Sequence, residues 1–172
     1  MSESDSKSSL NSGSAGPGSE SSGPQLGLQK VFLKDASFEA PNSPAIFSGD
    51  WGPVMTLNLA TRHRELGNDI VEVILELSVE AKQQDTTAFL VEVQQAGLFL
   101  MRGMSQEQMA QILGSYCPAQ LYPYAREVVA DLTGKGGFPQ VHLKPVNFEA
   151  LIEEARRRDA AGDGASADAP PA

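Results

Sequence analysis

The sequence holds a single cysteine, Cys117, so no intrachain disulfide can form, and a reducing compartment fits. Histidine is equally scarce. His63 and His142 lie far apart without partners at ligand spacing, which reads as structural or surface histidine rather than a metal site. No apolar run approaches the roughly 18 residues that span a bilayer, and residues 1–24 lack the apolar stretch of a secretory signal. A cytoplasmic protein without direct membrane insertion is expected. The phosphate loop G-x-x-x-x-G-K-[ST] is missing, and GKGG at 134–137 reads as a helix stop. Basic residues number 13 against 22 acidic ones, a net charge of -9. Nucleic acid is therefore excluded as the main partner, because phosphate binding needs a basic patch. Cys117 precedes Pro118 with no basic neighbour to hold a thiolate, which suits a buried, inert thiol. No catalytic residues, cofactor or metal are expected, and the chain reads as a non-enzyme.

What is present is a core between two tails. Residues 1–24 contain ten serines and four glycines and cannot bury enough surface to offset chain entropy, so a disordered tail is expected. Residues 159–172 (DAAGDGASADAPPA) read as a second, acidic tail. The domain is placed at 25–158. The tails carry -2 and -3 of the charge. Within the core, residues 65–92 hold seven acids against Lys82 alone, so one part of the fold is acidic.

Residues 69–81 (DIVEVILELSVEA) alternate, with Val71, Val73, Leu75, Leu77 and Val79 on one face and Glu72, Glu76 and Glu80 on the other. That is the pattern of a half-buried antiparallel strand, and its carboxylates suit a solvated face better than an acid/base pair. Residues 86–99 read as the hairpin partner, 53–60 as a shorter strand aligning Met55, Leu57 and Leu59, and 28–39 as a fourth. Helices follow. Ser105 opens a capping box closed by Gln108, and Pro118 and Pro123 should break or kink the helix that follows. Asn147 can cap a last helix whose stripe is Phe148, Leu151, Ile152 and Ala155, with Arg156, Arg157 and Arg158 in its last turn to complement the dipole. Strands before helices predict an α+β fold: a four-stranded antiparallel sheet with a long Pro-kinked helix and a C-terminal helix.

One irregular segment is unusually apolar. FEAPNSPAIFSGDWGPVMTLNL, residues 38–59, holds Phe38, Ile46, Phe47 and the only tryptophan, Trp51, among prolines and glycines. Loops run over the surface, where large apolar groups are uncommon.

The strings KDASFEAPNSPAIFSGDW, FLVEVQQAGLF, GSYCPAQLYPYARE and GGFPQVHLKPVNFEAL occur in order over residues 31–151 and resemble the SecB family of bacterial protein-export chaperones. The resemblance implies an α+β homotetramer, a dimer of dimers, that holds unfolded precursor proteins without ATP and delivers them to the motor SecA. It assigns SecA contact to Asp35, Glu39, Leu90 and Glu92, and assembly to Val91, Val93 and Gln95. Parity agrees in part, since Leu90 and Glu92 share a strand face, as do Asp35 and Glu39. A receptor for unfolded chains needs exposed apolar surface without strict shape demands. Trp51, Met55, Leu57, Leu59, Tyr116, Pro118, Tyr122 and Phe138 are the candidate lining, with ordinary core packing as their other reading. Other functions left open are a SecB-like chaperone of a toxin–antitoxin pair and a carrier of small apolar ligands.

Overall fold

The structure, a computed structural model, describes residues 23–163. Most of the two expected tails, residues 1–22 and 164–172, lies outside the described residues. Four long strands, β1 (Gln25–Glu39), β2 (Val54–Gly67), β3 (Ile70–Gln83) and β4 (Thr86–Arg102), form one antiparallel sheet in the order β1-β4-β3-β2. The helices follow as α1 (Gln106–Gln111), a π turn (Ile112–Tyr116), α2 (Cys117–Lys135) and α3 (Phe148–Asp163). The expected α+β architecture is the one observed.

Alternation decides which face is covered. On β3, Val71, Val73, Leu75, Leu77 and Val79 are buried, and on β4 Phe89, Val91, Val93 and Phe99 are buried with them. Registers Leu77↔Val93 and Val79↔Val91 put both sets on one face, beneath α2. α2 can approach closely because residue 97 is glycine: a Cβ there would stand 2.9 Å from Leu121 Cδ2. β2 runs seven residues past the predicted end at 60, through RHRELG, then reverses at Asn68 and Asp69, both with positive φ. Two such residues suit a tight hairpin turn.

The helical region departs from expectation at the prolines. Pro118 sits in the first turn of α2, where a missing N–H costs little. α2 continues unbroken through Pro123. The irregularity instead falls one turn earlier, in the π turn, where the Cys117 N–H bonds to the Ile112 carbonyl. The Ser105–Gln108 capping box forms as predicted, at 3.2 and 2.9 Å. So do the helix stop at Gly136–Gly137, with Gly137 at φ +84°, and the cap in which the Ala150 N–H donates to Asn147 Oδ1 at 3.0 Å. α3 continues to Asp163, so Arg156–Arg158 are not its last turn. Arg157 and Arg158 instead pair one turn back with Glu153 and Glu154.

Two side chains of α2 tie down the extended segment between α2 and α3. Thr133 Oγ1 accepts from the Val141 N–H at 3.1 Å, and the Tyr122 hydroxyl donates to the Lys144 carbonyl at 2.6 Å. Val141 and Leu143 are thereby held in the core.

Candidate functional site

The opposite, outer face of the sheet carries the charge. Its rungs run Asp35–Gln94–Glu76–Ala60, Ser37–Glu92–Ser78–Asn58 and Glu39–Leu90–Glu80–Thr56. The four residues assigned to SecA contact thus share one face across two neighbouring strands. Asp35 and Glu92, with Glu76, Ser78, Gln94 and Asn58, line a depression of about 310 Å³. Glu39 and Leu90 stand side by side one rung beyond Glu92. Asp35, Glu39 and Glu92 are exposed, and Leu90 is half-buried.

Only part of the acidic strip is uncompensated. β2 and β1 supply cations that the strand-by-strand reading did not assign to this face. Glu72 is buried and held by Lys34 at 2.7 Å and Arg64 at 3.0 Å. The Lys34 hydrogen bond outweighs burial and keeps the Glu72 carboxyl below its ordinary pKa. Arg62 pairs with Glu76, and Lys82 with Glu80 at 3.3 Å. Among the described residues, Asp35, Glu39 and Glu92 form no ion pair. The free negative charge therefore sits on the β1/β4 side.

The apolar segment resolves into core and rim. Phe89 and Phe138 are buried with ring centroids 5.0 Å apart. Phe38, half-buried, stacks on Phe89 at 6.0 Å, in a space that glycine at 136 leaves for its ring. Trp51 packs on Phe138 at 5.3 Å and Phe47 at 5.0 Å, yet these two remain 38% and 48% exposed. Gln83 fixes the loop that carries them: its Oε1 accepts from the Gly52 N–H at 3.1 Å and its Nε2 donates to the Asp50 carbonyl. Asn42 Nδ2 adds a bond to the Thr87 carbonyl at 2.9 Å. Gln83 had no signal in sequence beyond its place in a turn.

From Trp51 the exposed apolar surface continues along β2 through Met55 and Leu57 to half-buried Leu59. Met55, Leu57 and Leu59 pair with Ala81, Val79 and Leu77, so they lie on the helix side of the sheet, at its edge. A concavity of about 170 Å³ follows, lined by Leu59, Thr61, Gly114, Phe148, Leu151 and Ile152.

Of the eight candidate groove residues, Trp51, Met55, Leu57 and Tyr116 are exposed and Leu59 is half-buried. Pro118, Tyr122 and Phe138 are corrected to core: the first two face inward in α2, and Phe138 is enclosed by aromatic rings. Tyr116 is exposed but packs edge-on against Phe99, ten residues along β4 from the Phe89 cluster, so it marks the other end of the apolar path. Phe47 belongs to the exposed path and was not among the candidates, while Val54, also exposed, pairs with Lys82 and shares the outer face with Thr56 and Asn58. Val91, Val93 and Gln95 are 0%, 1% and 3% exposed within the protomer, on the face of the sheet beneath the helix layer.

Cys117 is fully buried, and burial pushes its thiol up to about 12. Among the described residues no group of three His, Cys, Asp or Glu side chains could hold a metal ion, and no helix is long and apolar enough to cross a membrane.

A solved structure shares the fold. A Mycobacterium tuberculosis SecB-like chaperone, in complex with a ChAD peptide from the HigA1 antitoxin, matches at a TM-score of 0.55 and 19% identity, covering 71% of this chain and 88% of that one. A Streptococcus agalactiae protein of unknown function matches at a TM-score of 0.36 and 12% identity, covering 70% of this chain and 98% of the other, too low a score to carry an argument. The architecture is that of a SecB-like chaperone. The family model for preprotein translocase subunit SecB matches residues 19–159, and the chain belongs to the SecB family.

Proposed function

We propose that the protein is an ATP-independent holdase that binds unfolded preproteins in the cytoplasm, keeps them competent for translocation and delivers them to SecA. The observation that carries this reading is the separation of two surfaces. The exposed apolar path from Phe47 and Trp51 along β2 lies on the helix side of the sheet, and the uncompensated carboxylates Asp35, Glu39 and Glu92 lie on the other. A client and a cationic partner can then be held at once.

Each apolar contact is weak after ordering costs. A homotetramer, arranged as a dimer of dimers, would present several copies to one client and multiply the affinity. Val91, Val93 and Gln95 would act on assembly by seating α2, since they lie beneath the helix layer. Binding the unfolded chain and not the native one delays folding by mass action.

The test is whether the purified protein, at a mass near four chains, slows refolding of a preprotein without ATP. Glu92→Lys should weaken SecA binding while leaving client binding intact, and equal SecA affinity of variant and parent would remove the acidic face from the reading. The mycobacterial relative holds an antitoxin peptide. An antitoxin as client is the second reading, favoured if an antitoxin is protected from aggregation and a preprotein is not.

A further inference from the structure

The Arg62–Glu76 pair borders the acidic depression, and the proposed SecA contact does not use it. Glu76 lines the same depression as Asp35 and Glu92, on the rung that begins at Asp35. Arg62 lies opposite Ile74 on β2 and reaches diagonally to the Glu76 carboxylate. Both partners face solvent, at 59% and 31% side-chain exposure. Such a pair is weak and can open.

The neighbouring pair differs. Arg64 holds a carboxylate that is buried and shared with Lys34, so it is fixed in place by the cost of stranding a buried charge. Lys82–Glu80 is exposed but does not line the depression.

We propose that Arg62 is a specificity-determining residue of this surface. By holding Glu76 it confines the footprint of a basic partner segment to the β1/β4 side, and it lowers the affinity of any segment that would use Glu76. The proposal rests on the acidic-face reading given above. A basic side chain entering the depression meets two free carboxylates and a third already matched by an intramolecular cation. Removing that cation frees the third and raises the local negative potential, which strengthens the contact and speeds encounter.

The experiment is titration of SecA into the parent, Arg62→Ser, Arg62→Lys and Glu92→Lys proteins at low and high ionic strength. Arg62→Ser should bind about two- to fivefold more tightly at low salt, the scale of an exposed ion pair. The gain should vanish near 1 M salt, where the screening length is about 3 Å. Arg62→Lys keeps the charge and should match the parent. Thermal unfolding of each variant verifies the fold. Unchanged or weaker binding by Arg62→Ser, or tighter binding by Arg62→Lys as well, overturns the role of Arg62. If Glu92→Lys still weakens binding in that case, the acidic face stands without it. A parent that does not bind SecA overturns both.

Discussion

Replacing Trp51 by alanine should weaken client binding and lower stability by separable amounts. A tryptophan side chain presents about 250 Å². With 38% of it exposed, about 95 Å² remains for a client. At ~25 cal/mol per Å² this is worth about 2.4 kcal/mol, or roughly 50-fold in affinity for a single segment, before ordering costs reduce it. The buried remainder, about 155 Å² packed on Phe89 and Phe138, corresponds to about 4 kcal/mol of stability. Trp51→Phe keeps much of the stacking and part of the exposed face, so it should recover most of the stability and some of the binding. Stability is read from urea unfolding followed by circular dichroism, and affinity from the anisotropy of a labelled, unfolded preprotein where every variant is folded. Trp51 is the only tryptophan, so its emission in the parent reports client contact directly. Client affinity unchanged in a folded Trp51→Ala protein would refute the rim assignment. Weaker binding with no loss of stability would refute the packing on Phe89 and Phe138.

Three further outcomes follow from the packing and the buried charges. Glu72 titrates below its ordinary value near 4.5, so its stabilisation is complete above that value and is lost as pH falls through the lower folded-state value. Glu72→Gln should be less stable than the parent at pH 7, and the gap should narrow as pH falls below the ordinary value of 4.5; a pH-independent gap in melting temperature would refute the linkage. Gly136→Ala would drive a Cβ into the Phe38 ring and should cost about 1–3 kcal/mol, so an unchanged melting temperature would count against that contact. Cys117 should resist a thiol-specific reagent at pH 8 until the protein unfolds, and rapid labelling of native protein would show its site to be open.

β3 was legible in the sequence because one of its faces is fully buried, which forces strict alternation from Val71 to Val79. The second half of β2 was not. Thr61–Glu65 is an exposed edge, and only its pairing with β3 makes it a strand. That omission also hid the charge balance: Arg62 and Arg64 reach Glu76 and Glu72 once β2 extends past residue 60. The acidic face was readable as parity, but the division into matched and free carboxylates depends on neighbours far away in sequence. The aromatic set shows the same limit. Composition marked Trp51, Tyr122 and Phe138 alike as surplus apolar residues, whereas a hydrogen bond to Lys144 and a ring of phenylalanines place the last two inside.

The π turn holds one residue more than an α-helix needs. Each residue advances an α-helix by about 100°, so the surplus sets the rotational phase between α1 and α2. With it, Met109 and Ile112 ahead of Pro118 point into the same core as Leu121 and Tyr122 after it. Deleting one residue from Ile112–Tyr116 would leave every side chain of α1 chemically intact and regularise the helix. The phase of α1 would be kept, because the π turn takes up its surplus residue within one turn; winding the same residues as a regular α-helix without the deletion would instead swing α1 by about 100°, turning its apolar stripe away from the sheet and its polar stripe toward it. The region should therefore tolerate loss of one residue far better than the insertion of another.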